Sequence, residues 1–160
     1  MRARLLVLLA FGFGLLAQAL AWRQLAPAAR CYVQAGKCVF QYSQSTSPYF
    51  DRDLVFAEVG LLVGVLVGAA FARRWWLAGP LKQAGLAALA ALASFAAAKL
   101  GAWGTEVMPL DAHTAVDRLE LRSVVLVLAW PLAQQLVITA HGWQQTKSVL
   151  ESEDFRQFGS

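Results

Sequence analysis

Charge is scarce in this chain of 160 residues: 15% of it is charged and 58% is hydrophobic. Soluble domains run nearer about 25% charged, so the shortage excludes disorder and argues against an ordinary cytosolic enzyme. Histidine occurs twice, and so does cysteine, as Cys31 and Cys38. Neither cysteine has a His or acidic cluster near enough to complete a zinc set. No nucleophile–base set, phosphate-cradling glycine loop or metal motif is visible, and the glycines present do not form a dinucleotide fingerprint. The expectation is therefore a non-catalytic protein with no cofactor and no metal. His113, near Glu106, Asp111 and Asp117, reads as part of a solvated acidic loop rather than a metal site. His141 reads as a wetted interfacial residue rather than a haem or quinone ligand.

What the chain has is long apolar runs, reflected in a mean hydropathy of +0.50. A spanning helix needs about 20 apolar residues for a ~30 Å hydrocarbon core. Four stretches qualify: Leu5–Trp22, Leu54–Ala72, Leu81–Trp103 and Leu121–His141. The fold expected is all-α, a bundle of four transmembrane helices over residues 1–142, with a tail over 143–160. Arg2 and Arg4, the run Leu5–Leu16 and then Ala17-Gln18-Ala19 have the pattern of a signal peptide. Because Leu5–Trp22 is also long enough to span, it is read as a signal anchor and first helix. Gly159-Ser160 reads as a cloning remnant.

The formal net charge is +4. The bases lie at the ends of apolar runs, without the aromatic interleaving of a nucleic-acid surface, so they read as orienting charges. Arg2 and Arg4 flank span one, and Arg73, Arg74 and Lys82 lie between spans two and three, with no acid among them. Residues 23–53 and 104–120 are nearly balanced. Both termini are thus expected in the cytoplasm and both longer loops outside. Trp22 and Trp103 would mark the outer interface, and Trp75, Trp76 and Trp143 the inner one. The polar tail, with Val149, Leu150, Phe155 and Phe158 on a possible apolar face, reads as a docking helix or a fraying helix end.

Gly60, Gly64 and Gly68 recur every fourth residue in span two and make one groove for a close helix neighbour. Span three, rich in small residues, is the expected neighbour; another subunit is the alternative. Span three is small on all faces, and four helices cannot cover one of their number all round, which points to a larger complex. Glu58 and Lys99 are the charges well inside the spans and should share a depth. They read as a structural pair, or each as reaching water or headgroups, or as an ion or proton relay. Pro131 should kink span four. Gln134 and Gln135, a turn further on, should bond across the bundle, line a polar cavity or touch a partner.

In the first outer loop, β-formers on both sides of Gly36 predict a hairpin. With Val33–Gly36 as its loop, Cys31 falls opposite Cys38, and a disulfide is reasonable in an oxidising compartment. Asp53 is the expected N-cap of span two.

Tyr49-Phe50, Asp53, Phe56, the span-two glycines with the bases after them, and Leu121-Arg122-Ser123 leading to Trp130-Pro131 occur in that order. Over roughly residues 49–135 the chain thereby resembles a family of small actinobacterial four-helix membrane proteins of unknown function. The Cys31–Cys38 hairpin has no place in that pattern. The resemblance implies a bacterial plasma membrane protein and no activity. The function expected is an accessory or structural subunit of a larger bacterial membrane complex, a respiratory assembly being the example. Its partners would be larger integral membrane subunits and lipids, not nucleic acid. The alternatives are a small transporter or channel using Glu58, Lys99 and Gln134, and a quinone-linked thiol oxidoreductase using the cysteines.

Overall fold

Four apolar runs fold as helices: α1 (Arg2–Leu25), α2 (Pro48–Trp75), α3 (Pro80–Ala102) and α4 (Ala129–Phe158). The computed structural model describes the backbone of residues 2–28, 30–34, 37–39, 48–110 and 114–158, and the side chains of 5–28, 30–32, 50–108, 110 and 114–149. Local chemistry sets the helix ends. Pro48 and Pro80 open α2 and α3, where a missing N–H costs nothing. Trp103 caps α3, donating its N–H to the carbonyl of Leu100, and Gly104 follows with φ 71°, the left-handed conformation that glycine adopts without strain.

The fourth span does not begin as an α-helix. Val124–Leu128 is a 3₁₀ segment, and Pro131 is the third residue of α4. Its absent N–H would have no acceptor inside α4, so proline falls where a helix tolerates it. The bend expected within the span is instead a 3₁₀-to-α junction just ahead of Pro131. The valines Val124, Val125 and Val127, stiff at χ1, fit that start poorly as α-helix.

All four helices are long and apolar enough to cross a membrane. Their outward surfaces carry Leu5, Leu9, Leu62, Leu66, Leu92 and Leu136, all exposed. Apolar surface on that scale is unsuited to water and suits acyl chains. Two clusters fill the interior. Trp22, Phe56, Ala97 and Val127 lead one, and Phe11, Val63, Trp75, Trp130 and Ile138 the other. Phe11 stacks on Trp130 at 5.6 Å between ring centroids. Trp22 meets Phe56 edge-on at 5.1 Å. Trp22 and Trp75 are buried among the helices, whereas Trp103 and Trp143 are exposed.

The closest helix pair is α2 with α4, whereas α2 and α3, although joined by a short turn, scarcely meet. Gly60, Gly64 and Gly68 approach Trp130, Ala133 and Val137 in rising order, so α2 and α4 run parallel.

At one end of the bundle both longer loops contribute to a single antiparallel sheet. Its strands are β1 (Arg30–Gln34), β2 (Lys37–Val39), β3 (Met108–Pro109) and β4 (Thr114–Val116), in the order β2-β1-β4-β3. The register of β1 with β2 differs from the expected one: Val33, not Cys31, is opposite Cys38, and Gln34 is opposite Lys37. Two residues rather than four separate the paired positions. Cys31 pairs instead with Ala115 on β4.

Candidate functional site

Two charged side chains are buried beneath that sheet, in the second turn of α2. Arg52 and Asp53 are both buried there, 2% and 5% exposed. A buried guanidinium needs acceptors for its N–H groups. Arg52 donates from Nε to the carbonyl of Pro27 at 2.8 Å, from Nη1 to that of Arg118 at 2.9 Å and from Nη2 to that of Asp117 at 3.2 Å. Pro27 precedes β1, and Asp117 and Arg118 follow β4. One planar fork thus ties the chain leaving α1 to the chain leaving the sheet. The carbonyl of Arg52 accepts the indole N–H of Trp22 at 2.9 Å, fastening α1 to the same point.

Asp53 does not cap its own helix, since α2 begins five residues earlier. Its carboxylate accepts the backbone N–H of Arg122 at 3.3 Å and of Ser123 at 2.8 Å. Those amides open the 3₁₀ segment that leads into α4. Negative charge is favoured there by the orphan N–H groups and the helix dipole. Asp53 is a cap, but of the fourth span.

Two further bonds close this end. Thr105 Oγ1 donates to the carbonyl of Ala102 at 2.7 Å and accepts the N–H of Leu119 at 3.1 Å. Arg23 Nη1 donates to the carbonyl of Trp103 at 3.1 Å. These groups hold backbone; none is placed as a nucleophile beside a base. The arrangement is a clamp that fixes the sheet and both loops over the helix ends.

Deeper in the bundle, the span-two glycines pack on α4, not on span three. A methyl group at Gly64 would overlap the carbonyl oxygen of Trp130 and come within 2.8 Å of Ala133 Cβ. One at Gly68 would meet the carbonyl oxygen of Gln134 and Val137 Cβ at 3.0 Å each. One at Gly60 would lie 2.7 Å from Gln18 Nε2. The groove is occupied within the chain, and close backbone contact supplies the attraction that lipid cannot.

Glu58 and Lys99 are not brought together. Both are exposed, on helices that scarcely touch. The Lys99 ammonium instead lies 5.5 Å from the centre of the Phe95 ring on its own helix. Arg118 and Glu120 form an ion pair at the surface. Gln134 is fully buried between Trp130 and Ile138, while Gln135 is partly exposed and donates Nε2 to the carbonyl of Gln83 at 3.2 Å. His141 is half-buried on α4.

Cys31 is buried, with Sγ 3.4 Å from the carbonyl oxygen of Ala115. The side chain of Cys38 lies outside the described residues, as do His113, Asp111, the side chains of Leu150, Phe155 and Phe158, and Gly159-Ser160.

Arg52, Gln18 and Trp130 hold buried positions that no sequence motif announces. The signal for Arg52 is its place between two aspartates at the head of an apolar run, where a lone base must enter the interior or reach water. Gln18 falls within a signal-peptide pattern, although a glutamine inside a spanning helix needs a partner. Comparison with protein-family models, curated proteins and solved structures finds no match for this chain, so its function is argued from this geometry alone.

Proposed function

We propose that the protein is a non-catalytic accessory subunit of a larger bacterial membrane complex, an energy-transducing respiratory assembly being the example. The observation that carries the reading is the outward face of α3. Its inward face, Ala90, Ala93, Ser94, Ala97, Ala98 and Gly101, is used inside the chain. The opposite side carries exposed Ala84, Gly85, Ala88 and Ala96 between the larger Leu81, Leu92 and Phe95, and a side chain at Gly85 would meet nothing within 4 Å. The shallow small-residue patches between those larger side chains gain little from lipid and more from a second helix. With the span-two groove filled by α4, this face is what remains to offer a partner.

In this reading the protein lies in the plasma membrane with both termini in the cytoplasm, and the sheet-capped end projects outside. A disulfide between Cys31 and Cys38 stiffens the projecting hairpin. The paired register sets Val33 rather than Cys31 opposite Cys38, so the bond joins positions offset across the strand pair rather than directly opposed ones. The clamp at Arg52 and Asp53 keeps this end rigid enough to serve as a contact surface. Glu58 and Lys99, apart and exposed, give a transport route no support.

The test is purification of the tagged full-length chain from its native membranes in mild detergent, beside an Ala88→Trp variant. A reproducible heteromeric particle that the variant loses, while its own melting temperature is unchanged, is the expected outcome. Migration of both proteins as the isolated chain would end the proposal.

A further inference from the structure

Among the described residues, four buried side chains carry polar atoms with no hydrogen-bond partner: Gln18, Ser94, Trp130 and Gln134. Gln18, Trp130 and Gln134 are each 0% exposed. Gln18 Nε2 donates to the carbonyl of Phe56 at 3.3 Å, but its Oε1 accepts nothing. The indole N–H of Trp130 and both polar atoms of Gln134 are likewise unpartnered. Exchanging oxygen and nitrogen does not repair this at Gln18, because its oxygen would then face the Phe56 carbonyl. Ser94 Oγ is also unpartnered and buried, but a serine hydroxyl can rotate to a carbonyl of its own helix and so demands nothing further.

The three residues belong to one region. Trp130 and Gln134 are one turn apart on the buried face of α4. A side chain at Gly60 would meet both Gln18 Nε2, at 2.7 Å, and the backbone nitrogen of Trp130, at 3.6 Å. Gly64 adjoins both the Trp130 carbonyl and the Gln134 nitrogen. The backbone contacts place these residues where α1, α2 and α4 meet, with two donors and two acceptors left over. Hydrocarbon offers them nothing, and leaving such groups bare is costly.

We propose that Gln18, Trp130 and Gln134 bind ordered water inside the bundle. The unpartnered set matches what water can take: it accepts from the Trp130 indole and the Gln134 amide nitrogen, and donates to the oxygens of Gln18 and Gln134. Buried waters characteristically make two to four such bonds. The full enclosure of all three side chains keeps them from bulk solvent. This inference is independent of the proposed accessory role.

Trp22 supplies an internal control. It is equally buried, but its indole N–H is taken by the Arg52 carbonyl. The experiment uses the full-length protein in lipid nanodiscs with ¹⁵N-labelled tryptophan, and measures magnetisation transfer from water to each indole proton. The Trp130 indole, assigned with Trp130→Phe, is expected to show a cross-peak of the sign given by long-lived bound water, and the Trp22 indole none. Gln134→Met should weaken the Trp130 signal. Absence of the cross-peak in the wild-type protein overturns the proposal, as does a Trp130 proton shifted by a direct bond to a protein acceptor without transfer from water. The wild-type spectrum decides the matter even if a variant fails to fold. A melting temperature raised by Trp130→Phe would also count against it, because that is what deleting a truly bare donor does.

Discussion

The carbonyl oxygen of Trp130 occupies the space that a side chain on Gly64 would need. The contact is backbone against backbone, so neither helix can yield without moving as a whole. Replacing Gly64 by alanine should therefore force α2 from α4, at a cost of about 2–3 kcal/mol, the upper part of the range for overpacking. Gly60→Ala should cost less, because the obstructing atom is the end of the flexible Gln18 side chain. Gly12→Ala and Gly85→Ala meet nothing within 4 Å and should be close to neutral. Unfolding of the four variants in mixed micelles by added denaturing detergent, followed by tryptophan fluorescence, ranks them. Equal midpoints for Gly64→Ala and Gly85→Ala would refute the close contact.

The glycine stripe was legible in the sequence because its period of four needs no knowledge of the partner. The partner was not legible. Span three has many small residues and was the natural choice. On α4 the receiving surface is Ala129, Ala133 and bare backbone, beside a tryptophan whose ring turns aside to lie over Phe11 and Gly14. A helix face can be shallow next to a large residue, if that residue's ring points elsewhere, and composition does not record which way it points.

Arg52 should be the most sensitive charged residue in the chain. Its Nε, Nη1 and Nη2 atoms serve the carbonyls of Pro27, Arg118 and Asp117 in the geometry of a flat fork. Arg52→Lys keeps the charge but cannot reach all three carbonyls, and Arg52→Ala abandons them. Hydrogen bonds to charged groups contribute about 1.5–3 kcal/mol each, non-additively, so a loss of roughly 3–5 kcal/mol is expected for alanine and less for lysine. Hydrogen exchange of the β1 and β4 amides, with α2 amides as the internal reference, is the measurement. Wild-type protection in Arg52→Ala would show that the fork does not hold the loops.

Asp53→Asn tests the crossed cap. The amide keeps one oxygen as acceptor but loses the charge and one of the two sites used by the amides of Arg122 and Ser123. A loss of about 1–2 kcal/mol is expected. The loss should appear first as faster exchange in Val124–Leu128 rather than at the start of α2. Loosening confined to the α2 N-terminus would mean that Asp53 caps its own helix after all.

That capping relation shows where sequence reading stops. An aspartate ahead of an apolar run announces a cap, and Asp53 is one. What it caps is set by a contact with residues about seventy positions away, made possible because Pro48 starts α2 earlier than hydropathy implies. The sheet is a similar case. The first hairpin was readable from its β-formers, whereas β3 and β4, two and three residues long, carry too little pattern to announce themselves.

Glu58 and Lys99 should behave independently. The Lys99 ammonium lies over the Phe95 ring, and Glu58 is exposed on a helix that scarcely meets α3. The double variant Glu58→Gln, Lys99→Met should therefore equal the sum of the single ones within about 0.3–0.5 kcal/mol. A coupling near or above about 1 kcal/mol in mixed-micelle unfolding would restore the charge pair that the geometry denies.

The proposed Cys31–Cys38 bond is testable without disturbing the bundle. Under denaturing conditions the untreated protein should take up no alkylating reagent, and after reduction it should take up one group per cysteine. Closing a loop this short stabilises by roughly 2–3 kcal/mol in the chain-entropy model. The gain should be local, because β1 also pairs with β4 and the helices are held by α2 against α4. Cys38→Ser should accordingly speed exchange in β1 and β2 while leaving the mixed-micelle midpoint of the bundle in place. Alkylation of both cysteines before reduction, in protein taken directly from the membrane, would remove the disulfide. The sheet-capped end would then rest on the sheet and the Arg52 clamp.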